Sequence, residues 1–229
     1  MKIIGIIPAR YQSTRLPGKP LMCIQGKPMI QRTWEQASKC LDEVIVATDD
    51  TRISEVVEKF GGKALITSLD CKNGTERCAE VMKGMWEYDV IINIQGDEPF
   101  IQPEQIQALI EVFKDKKVQI ATLAKSIIIQ KAIDPDTVKV VFNKNKKALY
   151  FSRSIIPFPR VEGGEYYKHL GIYAYRWDVL EQLAELPMTM LERTESLEQN
   201  RWLTAGYEIT IVETNVDTIS IDTYKDLKL

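Results

Sequence analysis

Histidine is almost missing: His169 stands alone among 229 residues. A single imidazole excludes the paired-histidine zinc sites of the H-E-x-x-H kind. A Ser-His-Asp hydrolase would have to use His169 without a G-x-S-x-G elbow, which the sequence also lacks. The four cysteines (Cys23, Cys40, Cys71, Cys78) form no C-x-x-C pair, so neither a zinc knuckle nor a redox dithiol is signalled. Excess charge is absent too. Thirty Lys and Arg stand against 32 Asp and Glu, a formal net charge of −2. Proteins that neutralise duplex phosphates are usually strongly basic, so no nucleic acid is expected as a partner. No apolar run approaches the length of a membrane span. The opening run Ile3–Ile7 is broken by Pro8, Arg10 and Arg15, too short for the core of a secretory signal. The expectation is a cytoplasmic protein with reduced, mostly buried thiols and no membrane partner.

What remains is an ordinary globular balance, 45% apolar and 27% charged, long enough for a continuous core. Apolar runs alternate with amphipathic stretches, the mark of an α/β protein. Strands are expected at Lys2–Ile7, Glu43–Ala47, Lys63–Thr67, Val90–Gln95 and Gln119–Lys125. Between them, Pro28 opens a helix, Asp49–Asp50 cap another that stops at Gly61–Gly62, Thr75–Met85 is helical, and Pro103 starts a fourth. Such β-α-β steps need parallel crossovers, so the first half reads as a mostly parallel open sheet flanked by helices. Val138–Phe142, Ala148–Phe151 and Leu170–Tyr175, with a turn at Asn143–Lys146, suggest a smaller antiparallel section. A helix over Leu191–Leu203, strands Ile209–Val212 and Ile219–Ile221, and a terminal helix from Thr223 complete the pattern. One domain over 1–229 is expected, with 138–189 as an antiparallel excursion.

Open α/β sheets bind ligands beyond the carboxyl ends of their strands. The first strand runs into Pro8-Ala-Arg-Tyr-Gln-Ser-Thr-Arg-Leu-Pro-Gly-Lys-Pro20, which carries Arg10, Arg15 and Lys19 and no acid. Neither a P-loop nor a G-x-G-x-x-G fingerprint is present. Yet backbone N–H groups and fixed cations in one concave loop suit a polyphosphate. A solvated basic loop is the plain alternative, against which Pro8, Pro17 and Pro20 stiffen this one. Asp97 ends the fourth strand and Asp222 follows Ile219–Ile221; together over a triphosphate they would suit Mg²⁺, although each alone could be a turn residue. Asn73-Gly-Thr-Glu-Arg77 reads as a helix start that favours anions, with Thr75 as a cap and Arg77 able to fork onto a carboxylate. On pattern alone, His169 reads as structural and Glu198–Gln199 as exposed helix surface.

These residues carry a resemblance. Ile7–Leu21 with Gly26-Lys-Pro-Met-Ile30, Val46-Ala-Thr-Asp49, Asn73–Arg77, Asn93-Ile-Gln-Gly-Asp-Glu-Pro99, Ala148–Arg153, His169–Tyr173, Leu197-Glu-Gln199 and Asp222-Thr223 resemble, in order, the 3-deoxy-manno-octulosonate (KDO) cytidylyltransferases. The resemblance implies a nucleotidyltransferase fold of the glycosyltransferase-A type. It also implies the reaction CTP + KDO → CMP-KDO + pyrophosphate, which activates the sugar for lipopolysaccharide. By position, it implies that Arg10 and Lys19 contact the triphosphate, with Pro8, Ala9, Arg15, Asn73, Gly74 and Thr75 also on the nucleotide side. Asp97 and Asp222 would hold Mg²⁺, and Arg77, Gln95, Arg153, His169, Glu198 and Gln199 would line the sugar side. Homodimers pairing through the antiparallel section are implied as well. The sequence departs from the family at Asn200, where an apolar residue is usual, and in a short Arg160–Tyr166 stretch. Alternatives are a sialate or 8-amino-KDO cytidylyltransferase, or a non-catalytic nucleotide-binding module.

Overall fold

A computed structural model describes residues 1–12, 16–218, 220, 221 and 226. The chain forms two compact units. The first takes Met1–Gln107, Ala174–Ala184 and the described residues from Thr218 on; the second takes Ala108–Tyr173 and Glu185–Asp217.

The first unit begins with β1 (Ile3–Ala9), a 3-10 turn (Lys19–Leu21) and a short hairpin of β2 (Cys23–Ile24) and β3 (Lys27–Pro28). Then come α1 (Met29–Ala37), β4 (Val44–Thr48), α2 (Thr51–Lys59), β5 (Lys63–Ile66), α3 (Gly74–Met82) and β6 (Val90–Asn93). β1 pairs in parallel with β4 and with β6, and β4 with β5, giving the spatial order β5-β4-β1-β6. The chain thus steps one way from β1 to β5, then returns past β1 to β6. Right-handed crossovers place α1 and α2 on one face and α3 on the other. Strand order reverses between β1 and β6, which is where such sheets open a ligand crevice. Ile4, Ile6, Ile45, Val46, Ile91 and Ile92 are fully buried, which accounts for the unbroken apolar runs. The start of α2 is fixed by Asp50, whose Oδ1 accepts the Arg52 N–H at 3.0 Å. Gly61, at φ +84°, ends it in the left-handed region that glycine tolerates.

α4 (Pro103–Val112) leads into the second unit, where β7 (Ile120–Ile127), α5 (Ile129–Ala132), β8 (Lys139–Phe142), β9 (Ala148–Ser152) and β10 (Tyr166–Arg176) follow. The end of β10 and most of α6 (Trp177–Glu185) belong to the first unit. α7 (Met190–Glu195), α8 (Gln199–Thr204) and β11 (Ile209–Glu213) belong to the second. β11 lies parallel to β7, whereas β8 runs antiparallel to β9 and β10. The β8–β9 turn closes with the Lys146 N–H on the Asn143 carbonyl at 2.9 Å. The architecture is therefore α/β, mostly parallel and flanked by helices, with a small antiparallel part.

Several local expectations need correction. The single helix over Leu191–Leu203 is two helices, α7 and α8, broken at Ser196, which sits at φ +53° while the Leu197 N–H turns back to the Glu192 carbonyl. The cap of α3 is Asn73, not Thr75: Asn73 Oδ1 accepts the Glu76 N–H at 2.8 Å. All four thiols are free, but only Cys78 is buried. Ile219 and the proposed helix start at Thr223 lie outside the described residues.

Candidate active site

The site grows from the end of β1. The Ile6 carbonyl still accepts the Ile94 N–H of the segment after β6, but the β1–β6 register ends at Ile6 and Asn93. Pro8, two residues on, turns the same edge toward β6, so its missing N–H forfeits no ladder bond. A Cβ on Gly96 would lie 2.9 Å from the Pro8 carbonyl oxygen, so only glycine lets the two strand ends approach so closely. Gly74 meets the same proline from α3, where a Cβ would stand 3.2 Å from Pro8 Cγ.

The returning limb of the loop is tied down independently. Leu16 is fully buried, the Gly18 N–H donates to the Tyr11 carbonyl at 2.9 Å, and the 3-10 turn begins at Gly18 with φ +70°. The Arg52 guanidinium lies 3.4 Å from the centre of the Tyr11 ring and forks onto Asp50 at 2.9 and 2.6 Å. That turn delivers Lys19 to Asp97, Nζ to Oδ2 at 2.7 Å. A cavity of about 360 Å³ opens between these parts. It is lined by Pro8, Ala9, Arg10, Lys19, Asn73, Gly74, Arg77, Gln95 and Asp97, all singled out in the sequence, together with Pro20, Cys71, Lys72 and Gly96. Among the described residues, four cationic residues thus line it with one carboxylate, a balance suited to a polyanion.

The wall on the α3 side is held by two glutamates one turn apart. Glu76 accepts the Lys72 N–H, and Glu80 accepts the Ser68 N–H and the Cys71 thiol, each at 2.8 Å. Burial, then Glu80, pushes the Cys71 thiol up to about 12, so it stays a protonated donor. Arg77 is nearly buried: its Nη2 binds Asp49 at 2.8 Å and its Nη1 donates to the Thr67 hydroxyl at 2.5 Å. Its fork is thus committed within the chain, and it gives the cavity a fixed positive charge. Gln95 Nε2 donates to Asn93 at 3.4 Å, and Thr75 is buried behind the wall.

A family model described as "Cytidylyltransferase" matches residues 4–211. A 3-deoxy-manno-octulosonate cytidylyltransferase of Phocaeicola vulgatus is 53% identical over 99% of this chain and 95% of its own. The chain belongs to this family. The Escherichia coli protein of the same name is 49% identical over 97% of this chain. A solved structure of CMP:2-keto-3-deoxy-manno-octonic acid synthetase complexed with CTP superposes with a TM-score of 0.96 at 48% identity, over 100% of this chain and 96% of that one. A glucose-1-phosphate thymidylyltransferase structure from Bacillus anthracis, at 21% identity and TM-score 0.71, shares the fold. The chain is thus an enzyme of the nucleotidyltransferase class.

Other residues named from the sequence lie in the second unit. Arg153 follows β9, His169 lies on β10, and Glu198 and Gln199 open α8. His169 is packed edge-on against Phe151 at 4.9 Å and tilted against Tyr173 at 5.3 Å. The Thr122 hydroxyl has one proton, best spent on the Ile172 carbonyl at 2.7 Å, so His169 Nε2, 3.0 Å away, donates to that oxygen. Burial, with a smaller push from Lys168, pulls the imidazole down to about 3, so it is neutral. Gln199 is buried rather than exposed, and its Nε2 has no partner among the described residues. Asn200, the departure from the family, is fitted by two bonds to the backbone of Phe151, at 3.4 and 3.0 Å. Arg15 and Asp222 lie outside the described residues. The Ile221 N–H, just before Asp222 in sequence, donates to the Asp97 carbonyl at 3.0 Å.

Sequence reasoning missed Lys72, Cys71 and Gly96. Lys72 could have been found as a cation abutting the Asn73 cap; Gly96, inside Gln-Gly-Asp at a strand end, carried the weaker signal of a close backbone approach.

Proposed function

We propose that this chain transfers the cytidylyl group of CTP to KDO, releasing pyrophosphate and activating the sugar for lipopolysaccharide. The observation that carries the reading is the cationic cavity at the β1–β6 switch point, which Arg10, Lys19, Lys72 and Arg77 line together with Asp97. The anomeric hydroxyl of the sugar attacks the α-phosphorus in line; a P–O bond forms as the bond to pyrophosphate breaks, and the hydroxyl proton leaves to solvent. Little covalent work falls to the protein, so positioning and charge neutralisation dominate. Arg10, Lys19 and Arg15 neutralise the triphosphate, and Lys72 adds a further charge. Pro8, Ala9, Asn73, Gly74 and Thr75 shape the nucleotide side. Lys19, which balances Asp97, brings its charge to the phosphate side.

Asp97, about one-third exposed at the cavity, with only one carboxylate oxygen bonded among the described residues, is chemically suited to Mg²⁺, with Asp222 as the second carboxylate. When bound, that ion would supply charge neutralisation at the phosphates and lower the attacking hydroxyl's pKa. For the sugar, the first unit offers Arg77 and Gln95 at the cavity. From the second unit, the family resemblance assigns Arg153, His169, Glu198 and Gln199 to the sugar, Gln199 as a buried amide that wants an acceptor.

Two further features belong to the reading. Among the described residues, nine of thirteen exposed large apolar side chains lie in the second unit, and Leu149, Phe158, Val161 and Met188 of these fall in the antiparallel section at 138–189, which supports a homodimer formed through that section. Four free thiols and the use of CTP fit a cytoplasmic enzyme. Among the described residues no helix is long and apolar enough to cross a membrane. The test is pyrophosphate release from CTP and Mg²⁺ with KDO, 8-amino-KDO and sialate offered in turn. Release is expected with KDO at the highest kcat/KM; a preference for either other acid, or no release, would overturn the substrate assignment.

A further inference from the structure

Lys139 lies within β8 and is completely buried. A buried ammonium is costly, and an apolar residue of similar size is often tolerated as well or better. Its ammonium is spent on two main-chain oxygens, the Asp134 carbonyl at 2.8 Å and the Arg153 carbonyl at 2.6 Å. Arg153 is gripped from its other sides by α7. Its N–H donates to Glu195 Oε2 and its Nε to the Glu195 carbonyl, both at 2.9 Å. Nη1 reaches the Pro135 carbonyl at 3.3 Å, while Nη2 takes part in none of these bonds. Glu195 is itself fixed by the Ser152 hydroxyl at 2.6 Å and the Tyr150 hydroxyl at 3.3 Å. The main-chain N–H and carbonyl of Arg153 are therefore held by the Glu195 carboxylate and the buried Lys139 ammonium, and its guanidinium by the main-chain carbonyls of Glu195 and Pro135. Such immobilisation is more than packing needs and is what a bidentate carboxylate receptor requires.

We propose that Lys139 and Glu195 are positioning residues for the acidic sugar, holding Arg153 so that its outer guanidinium edge receives the sugar's carboxylate. This rests on Arg153 being a sugar ligand. The test measures KM for KDO and for CTP, kcat and thermal unfolding in Arg153→Ala, Lys139→Met, Lys139→Gln, Glu195→Gln and the Lys139→Met/Arg153→Ala double variant. Arg153→Ala is expected to raise the KM for KDO by about a hundredfold with the KM for CTP unchanged. Lys139→Met should raise the same constant by about tenfold, and Lys139→Gln, whose amide can serve both carbonyls, should recover part of it. In the Arg153→Ala background the lysine substitution should add nothing. Glu195→Gln keeps the size of the side chain and leaves Lys139 in place; its KM for KDO should also rise. If Arg153→Ala leaves the KM for KDO unchanged, the ligand assignment fails. If it raises that KM while Lys139→Met and Glu195→Gln change only stability, or both KM values alike, the positioning inference fails and the assignment stands.

Discussion

The two units handle charge in opposite ways. In the first, beside the buried Arg77–Asp49 pair, a second ion pair faces the cavity: Lys19 and Asp97 keep 12% and 34% of their side chains exposed. In the second, charged groups are folded into the packing, where Arg201 and Glu192 keep only 6% and 9% and Lys139 none. A charge at a cavity mouth costs the fold little and is free to serve a ligand. A buried one must be matched on the spot, because its desolvation is repaid only by fixed partners. Loss of the first kind of residue should therefore show in turnover with little cost in stability, whereas loss of the second should cost stability whether or not it also disturbs a ligand.

Glu192→Ala is the most severe way to break that comparison. Glu192 Oε2 lies 3.1 Å from Arg201 Nε in a buried ion pair and closes the capping box of α7 with Thr189. Its removal leaves the buried guanidinium with Glu198, at 3.1 Å, as its remaining carboxylate and opens the cap of α7, for an expected loss of about 3 kcal/mol in urea unfolding. A loss below about 1 kcal/mol would mean that the pair behaves as a solvated surface bridge.

Asp97→Asn tests the other side. Turnover should fall by roughly a hundredfold or more, equivalent to about 2.7–4 kcal/mol of barrier, with the unfolding midpoint unchanged. Near-normal turnover at saturating Mg²⁺ would remove Asp97 from the catalytic machinery; a large drop in stability would place it with the buried groups of the second unit.

The same contrast explains what could be read from the sequence. Unbroken β-branched runs mark buried parallel strands, and a stiff cationic loop at the end of the first of them marks the cavity, so Arg10, Lys19 and Asp97 were legible without tertiary knowledge, whereas Gln95 came only through the family resemblance. The second unit depends on partners distant in sequence: Lys139 meets Arg153 fourteen residues away, and Ser152 meets Glu195 forty-three away. No local pattern encodes those pairings. Gln199 looked exposed because the break at Ser196, which resets the helix phase, carries no glycine or proline to announce it. Arg77 was legible as a basic residue at a helix start, but its commitment to Asp49 depends on β4 lying beside α3.

The smallest expected effect sharpens the comparison through pH. His169 is neutral in the folded state because burial pulls it from the ordinary 6.5 down to about 3. As pH falls below 6.5, the unfolded chain takes up this proton first and the folded chain does not. Stability is therefore fully present above about pH 6.5 and is lost progressively toward pH 3, with a limiting slope of about 1.4 kcal/mol per pH unit from this group. Glu195 and Asp217, whose hydrogen-bond donors and cationic neighbours hold them below the ordinary carboxylate range, lose stability in the same direction as acid is added. They remain in His169→Gln, so the difference between the two proteins isolates the imidazole. Urea unfolding at pH 7.5, 6.0, 5.0 and 4.0 should show a shallower decline in His169→Gln than in the parent. Parallel declines would mean that His169 protonates as readily folded as unfolded, and the second unit would then hold a solvated imidazole rather than one matched to Thr122.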